Sequence, residues 1–549
     1  MAKQTETIKG NFMRHQFKDK SYISSRRRGE LSSGLAIALA SLVVLGLLTW
    51  LLVQTPSQST SPSNANEDEA TPNNNASETV EKKQLLLYCA AGMKPVVAEA
   101  VKNFRKETGI EISVQYGGSG TLLGNLQVAK KGDLYLAADI SYIEIARSKG
   151  LLAEAIPLAS IRPVIAVKKG NPKNINSIAD LLRNDVTFAL ANPTAASVGK
   201  ITKKILEKSG DWEQVAKAVK VKKPTVNETA GDVIIGAVDA AILWDATVAQ
   251  NSKHLDLVRL PIFEVAPQNV TIGVLKWADN SAEALQFARY LQAPDKGQKL
   301  FGKAGCQTVP GDRWTERPRL LVYSGGVNRL AIQDTIRQFQ LREGVEIDVV
   351  YNGCGILVSM INGSEHKQPD VYFACDTSFM TQVQPKFQSA RVLSETDMVL
   401  IVRQGNPKEI KTINDLTKEK ILLGVANPKQ SALGRLTQRL FETIKIGNSD
   451  LYKVVQPNIA TRTPTADLLV NQLLVGGLDA AIVYRANVAK VKDKLEIISI
   501  KQGDPTASQP IAVSKSTPYP YLSQRLVDAL TSAESQQRFL LQGFNWKVE

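Results

Sequence analysis

Two segments of the sequence, DAAILWDATVA (239–249) and DAAIVYRANVA (479–489), are nearly identical and lie 240 residues apart. Further pairs follow the same order along the chain: LLLYCAAG (85–92) with LLVYSGGV (320–327), YGGSGTL (116–122) with YNGCGIL (351–357), DLYLAAD (133–139) with DVYFACD (370–376), VKKGNPK (167–173) with VRQGNPK (402–408), and LANP (190–193) with VANP (425–428). The repeated unit is as long as a domain. This indicates a duplicated domain and not a solenoid of short repeats.

Short apolar segments alternate with helical patterns within each copy. In the first copy, residues 85–88 are a predicted strand, residues 96–107 a predicted helix, and IEISVQY (110–116) a second strand. This alternation is typical of βαβ units and a mostly parallel sheet. Parallel sheets bind ligands at the carboxyl ends of their strands, so the glycine-rich segments after the strands are candidate ligand loops.

An apolar segment precedes the two copies. Residues 34–53 carry no charge over 20 positions, enough to cross a bilayer as a helix. Residues 1–33 hold eight Lys and Arg against three acidic residues, which predicts a cytoplasmic tail and a C-terminal part outside the cytoplasm. The segment is too long for a signal-peptide core and lacks a small-residue cleavage site, so we expect a retained anchor. The polar residues 54–83 are predicted to be a flexible linker.

Composition and motifs argue against two classes of function. The formal net charge is +14, but its densest part is the basic tail and no basic run follows, which disfavours nucleic-acid binding. His15, His254 and His366 are scattered without a metal-ligand spacing, and no phosphate loop or nucleophile elbow is complete. Asp139 and Asp376 recur after a strand and are interpreted as helix caps. We therefore predict a binding protein without a cofactor, and not an enzyme.

The order and spacing of the repeated blocks resemble the molybdate- and tungstate-binding periplasmic proteins of ABC transporters. The resemblance implies one solute-binding module at 84–316 and another at 317–549. It also implies two α/β lobes per module, an oxyanion between the lobes, and an ABC transporter permease as partner. We expect the hinge crossings near 162–167 and 269–274 in the first module, and near 398–402 and 509–513 in the second.

The resemblance also assigns ligand positions, residue by residue. In the first module the serine of the second loop is Ser119, while the serine of the first loop falls on a residue without a hydroxyl. The residue at the first-loop position is Gly92. The resemblance further implies a backbone donor at Val198, a second backbone donor at Val226 or Asn227, and Trp244 in place of a tyrosine donor. In the second module the corresponding positions are Val327, Cys354, Leu433 and Tyr484. A thiol is a weak donor, so the second module is predicted to bind the oxyanion more weakly or not at all.

The four cysteines leave one question open. Cys354 and Cys375 both follow strands of one sheet, so they are predicted to lie at adjacent strand ends beside the cleft. Disulfides form outside the cytoplasm, so two interpretations stay open. Cys354 and Cys375 form a disulfide, or all four cysteines are free thiols.

The function that these observations predict is capture of a tetrahedral oxyanion, molybdate or tungstate, for an ABC importer. The alternative is a membrane-anchored sensory or scaffolding protein that uses the same modules for sensing or for protein interaction.

Overall fold

A computed structural model describes residues 84–363 and 367–548. In this part, the chain forms two α/β modules, module one and module two, as the duplication predicts. The predicted tail, anchor and linker lie outside the described residues, as do His15 and His366. Within the described ranges, no helix has the length and apolar character needed to cross a membrane.

Module one contains two sheets, one for each lobe. The first lobe has six strands, which are in spatial order Gln307–Thr308, Leu152–Ile161, Gln268–Leu275, Leu134–Ala137, Gln84–Ala90 and Glu111–Gly117. The second lobe has five, which are Val221–Lys223, Phe188–Ala191, Ala240–Trp244, Pro163–Lys168 and Leu255–Val258. The two pairs nearest one edge of each sheet are parallel and the other pairs are antiparallel, so the sheets are mixed and not mostly parallel as predicted.

Helices cover both sheets of module one. A 3-10 turn at Ala91–Met93 leads into the first of them. The α-helices are Lys94–Thr108, Ser119–Ala129, Ile140–Ser148, Ile178–Leu181, Ser197–Ser209, Trp212–Ala218, Val226–Ile234, Asp245–Gln250, Pro261–Glu264, Ser281–Gln292 and Gly297–Lys303. Three of them, Ser119–Ala129, Ser197–Ser209 and Val226–Ile234, begin at residues that line the space between the lobes.

Module two has the same order of elements but one continuous sheet. Its spatial order is Glu346–Asn352, Arg319–Gly325, Val371–Phe373, Thr506–Val513, Arg391–Arg403, Ala480–Tyr484, Leu423–Ala426 and Ile459–Thr463, and the strands Leu495–Ser499 and Asn545–Trp546 also pair with Arg391–Arg403. A separate hairpin joins Lys445–Ile446 to Ser449–Asp450.

The helices of module two repeat the pattern of module one. The α-helices are Arg329–Glu343, Cys354–Asn362, Thr377–Thr381, Ala432–Thr443, Leu451–Val454, Ala466–Leu474, Arg485–Val488, Pro520–Leu530 and Ala533–Leu541. Short 3-10 turns lie at Gly326–Asn328, Gln384–Lys386, Ile413–Thr417, Gln456–Asn458 and Lys492–Lys494.

The hinge crossings agree only in part with the prediction. The outward crossing lies at residue 162 in module one and within Arg391–Arg403 in module two, at the start of each predicted segment. The return crossings were predicted wrongly. Residues 269–274 and 509–513 already pair with strands of the first lobe, so the chain returns earlier, between 258 and 268 and between 499 and 506. Their apolar sequence fits a buried strand of the first lobe as well as it fits a hinge.

A buried charge cluster joins the two modules. The Glu343 carboxylate, at the end of a module-two helix, is 0% exposed. It accepts hydrogen bonds from Arg289 of module one at 3.2 Å and from Arg525 at 3.0 Å. Burial raises the pKa of Glu343, but the guanidinium groups outweigh this effect and hold it below the ordinary value. Buried charges are tolerated when they are paired in this way.

Candidate functional site

A small closed cavity lies between the two lobes of module one. Its volume is ≈ 20 Å³. Of the described residues that line it, none carries a charge; they are Ala90, Ala91, Gly92, Gly117, Gly118, Ser119, Ala138, Ala196, Ser197, Val198, Thr225, Val226 and Trp244. The size restricts the cavity to a small ligand, since about 10–15 Å³ by this measure already holds one water.

Three helices start at the wall of this cavity. Ser119, Ser197 and Val226 are their first residues. The first N–H groups of a helix have no partner within it and carry the positive end of the helix dipole. The wall is therefore a donor surface with a positive potential, although no lysine or arginine lines it.

Glycines let the lobes close on this surface. A Cβ on Gly118 would lie 2.3 Å from the carbonyl oxygen of Ala195 in the opposite lobe. The amide of Gly120 donates to the same oxygen at 2.9 Å. The segment GGSG is thus the contact between the lobes as well as the start of a helix.

Ser119 is placed to donate to a ligand. Its side chain is buried, and its Oγ accepts hydrogen bonds from the amide of Ala138 at 3.3 Å and from the hydroxyl of Ser197 at 2.9 Å. Both bonds use the oxygen as acceptor, so the hydroxyl hydrogen of Ser119 is available to the cavity. The bond from Ser197 also connects the two lobes.

Most of the residues predicted for module one meet at this cavity. Gly92, Ser119, Val198, Val226 and Trp244 all line it. Their roles as ligands stay predictions. A Cβ on Gly92 would lie 3.0 Å from Val226 Cγ1 and 3.8 Å from Trp244 Cδ1, so the missing side chain leaves room for the indole.

Asn227 is the predicted alternative to Val226 for the second backbone contact. It does not line the cavity; its Nδ2 donates to the carbonyl oxygen of Ala91 at 3.0 Å, across the cleft. Two lining hydroxyls, Ser197 and Thr225, were missed. Thr225 is the N-cap of the helix at Val226, with its Oγ1 accepting from Glu228 N at 3.2 Å, a capping signature that the sequence TVNE carries.

Module two contains a corresponding cavity, also of ≈ 20 Å³. It is lined by Gly326, Val327, Asn352, Gly353, Cys375, Ser431, Leu433, Pro464, Thr465, Ala466, Asp467, Tyr484 and Asn487. Of the predicted residues, Val327, Leu433 and Tyr484 therefore face it, whereas Cys354 lies just behind the wall. The valine side chain of Val327 occupies the space that Gly92 leaves open, and Tyr484 is smaller than Trp244.

The cysteines of module two lie together but are not bonded. Cys354 Sγ accepts the amide N–H of Cys375 at 3.0 Å, so the two residues lie side by side. The strands that precede them are not adjacent as predicted, because Arg319–Gly325 lies between them in the sheet. All four cysteines of the described chain are free thiols, so the disulfide considered for this pair is not formed. The hydrogen bond with Cys354 and burial raise the pKa of Cys375 well above its usual value. This thiol is therefore protonated at neutral pH.

The groups considered for catalysis have structural roles. Asp139 accepts the amide of Ser141 at 2.8 Å, and Asp376 accepts that of Ser378 at 2.9 Å, so both are helix caps as predicted. His254 is exposed. Among residues 84–363 and 367–548, no group of three or more potential ligands could hold a metal ion.

The closed cavity between two hinged α/β lobes defines a solute-binding module, and comparison with known proteins agrees. The model of the bacterial extracellular solute-binding protein family matches residues 85–307 and again 320–545. The chain belongs to this family and contains its domain twice. The family consists of binding proteins, which confirms the expectation that the chain is not an enzyme.

Individual relatives match one module's length. A putative binding protein of Haemophilus influenzae is 29% identical over 228 residues, which are 41% of this chain and 92% of the relative. The molybdate-binding protein ModA of Mycobacterium bovis is 24% identical over 226 residues, 41% of this chain and 84% of the relative. The periplasmic molybdate-binding protein of Azotobacter vinelandii, a solved structure, is 18% identical with a TM-score of 0.37, over 41% of this chain and 99% of that chain. The resemblance found in the sequence is confirmed.

Proposed function

We propose that module one captures a small tetrahedral oxyanion, molybdate or tungstate, and that the chain delivers it to an ABC transporter permease. The observation that carries this proposal is the uncharged cavity, at whose wall three helices begin and which the Ser119 hydroxyl lines. The molybdate-binding relatives support the choice of anion.

The chemistry of this wall suits a dehydrated dianion. Backbone N–H groups and hydroxyls form charge-assisted hydrogen bonds, which contribute about 1.5–3 kcal/mol each. Because no full positive charge lines the cavity, the attraction is spread over many donors. Opening the lobes removes these donors together, so the anion can be held tightly and still be released.

We also propose that residues 34–53 anchor the chain in the cell membrane, with 1–33 in the cytoplasm and both modules outside. The charge distribution around this apolar segment supports this arrangement. Membrane-extracted mature protein should then begin before residue 34. An N-terminus found between residues 53 and 83 would mean that the segment is cleaved.

Calorimetric titration of the full-length protein in detergent tests the ligand. We expect one molybdate or tungstate per chain, with weaker or no binding of sulfate, phosphate and chromate. Gly124→Ala is a suitable control variant, because Gly124 lies on the exposed side of the same helix as Ser119 and an added Cβ there has no neighbour within 4 Å. Absence of heat with all five anions would refute the proposed ligand class.

Uptake in cells separates transport from the sensory or scaffolding alternative. Cells without this chain should accumulate less molybdenum or tungsten from a dilute medium, and the wild-type chain should restore uptake. Restored binding without restored uptake would favour the alternative.

A further inference from the structure

The cavity of module two differs from that of module one in the charge at its mouth. Counting from the repeated segments, Asp467 stands where module one has Asn227. Asp467 lines the cavity, and Asn487 Nδ2 donates to its Oδ1 at 3.0 Å. The other amide atom, Asn487 Oδ1, is buried and without a hydrogen-bond partner in the part of the chain that the structure describes. The mouth therefore presents a carboxylate and an amide oxygen, both of which accept hydrogen bonds.

A second, independent group also lacks a partner. Tyr484 is only 2% exposed, lines the cavity, and its hydroxyl has no hydrogen-bond partner among the described residues. Buried polar groups are almost always hydrogen-bonded, so an unpartnered hydroxyl at a cavity indicates a ligand that completes its bonding. A tyrosine hydroxyl donates and accepts, whereas the indole N–H of Trp244 at the corresponding place only donates.

A dianion does not fit this mouth. The Asp467 carboxylate at the mouth repels a second negative charge that enters the cavity. Module one carries Lys94 over the ring of Tyr116, at 5.6 Å, with the neutral Asn227 nearby. Module two carries Arg329 over the corresponding tyrosine, and Asp467 offsets its positive charge.

A cation does not fit the interior either. Three helices start at this cavity, Cys354–Asn362, Ala432–Thr443 and Ala466–Leu474. Their N-termini direct N–H groups and positive dipole ends inward, which disfavours a positive charge. A neutral solute with several hydroxyls satisfies both parts of the wall, because each hydroxyl donates to the acceptors at the mouth and accepts from the helix N–H groups.

We propose that module two is a binding site for a small uncharged oxyacid, and that Asp467 excludes from it the dianion proposed for module one. The cavity volume of ≈ 20 Å³ equals that of module one, so the two solutes are of similar size. This proposal does not depend on the ligand of module one, because Asp467, Asn487 and Tyr484 all belong to module two.

Titration of three full-length proteins tests the proposal: the wild type, Asp467→Asn and Asp493→Asn. Asp493 is exposed and lies outside the cavity, so its variant is the control for loss of one negative charge. The ligands are orthosilicic acid and boric acid, both uncharged at neutral pH, together with tungstate and ammonium. Thermal unfolding of each variant verifies that it is folded.

We expect wild type and Asp493→Asn to bind at least one of the neutral acids and not ammonium. Asp467→Asn should lower the affinity for that acid by about tenfold or more and should add one tungstate site per chain. The number of tungstate sites in Asp467→Asn is compared with the number in the wild type. The added site can therefore be detected both when module one binds one tungstate and when it binds none. The proposal is overturned if neither neutral acid binds, if ammonium binds instead, or if tungstate occupies module two of the wild type.

Discussion

Module one and module two share a backbone plan but hold their lobes together differently. In module one, side chains bridge the cleft at two points, from Ser197 to Ser119 and from Asn227 to Ala91. The corresponding residues of module two are Cys354, Ala432 and Asp467, none of which reproduces these bonds. The glycine contacts remain, since a Cβ on Gly353 would also lie 2.3 Å from a carbonyl oxygen of the opposite lobe. Backbone contacts thus stabilise the closed arrangement of the lobes in both modules, while a few side chains determine which ligand the cavity binds.

The hinge differs as well. Module one divides its sheet at residue 162, and Pro163, which has no N–H to donate, begins the second-lobe strand. In module two the 13-residue strand Arg391–Arg403 runs through both lobes and joins their sheets. We expect a stiffer hinge in module two, because a continuous strand has no break at which to bend.

The largest effect on stability should come from the buried charge cluster at Glu343, which joins the two modules. Glu343→Gln leaves Arg289 and Arg525 buried without their counter-charge, and we expect a loss of about 3–5 kcal/mol in the free energy of unfolding. Glu343 has a lowered pKa in the folded protein, so its stabilisation is complete above the ordinary value of 4.5 and is lost as the pH falls through the lowered one. Urea unfolding against pH measures both effects. The control is Glu346→Gln, at an exposed position. If Glu343→Gln and Glu346→Gln were equally stable, the buried charge cluster would not stabilise the protein.

Blocking closure of module one should have the next largest effect. Gly118→Ala places a methyl group against the Ala195 carbonyl, and an overpacking cost of about 1–3 kcal/mol corresponds to a loss of about 5- to 150-fold in molybdate or tungstate affinity. The same substitution in module two, Gly353→Ala, should leave this affinity unchanged. If Gly353→Ala were the damaging variant, the anion site would lie in module two.

Removal of the Ser119 hydroxyl tests one donor. Ser119→Ala should weaken oxyanion binding by about tenfold, because one charge-assisted hydrogen bond is lost. Ser197→Ala should have a smaller effect, since this hydroxyl acts by holding Ser119 in place. Calorimetric titration of both variants gives the ratio of their oxyanion affinities. An unchanged affinity in Ser119→Ala would remove this residue from the site.

The smallest effect is expected for the substitution that gives module one the residue found at the same position in module two. Asn227→Asp removes the bond to Ala91 and adds a carboxylate, and we expect a reduction of about three- to tenfold in oxyanion affinity. Asn227 is exposed, so salt should diminish the reduction. Asn227→Ala lacks the charge and isolates the loss of the bond. Identical results for both variants would show that the charge at this position has no influence.

The sequence predicted the features that depend on local pattern. The duplication, the α/β alternation and the helix caps at Asp139 and Asp376 follow from order, spacing and residue type. The clustering of Ser119 with Trp244 was implied by the family resemblance. The missed features depend on the opposite lobe. Ser197 bonds across the cleft to a residue 78 positions away, and no pattern within its own segment indicates that contact.

The joint at Glu343 also bears on how two copies became a fixed pair. Helix Ser281–Gln292 of module one meets helix Arg329–Glu343 of module two, and these helices hold different places in their modules. A head-to-tail contact of this kind between identical subunits can repeat without closing and build a filament. The position of Glu343 in module one is held by Thr108, which has no carboxylate to receive another arginine. Module one therefore lacks the carboxylate through which a further copy could form the same contact.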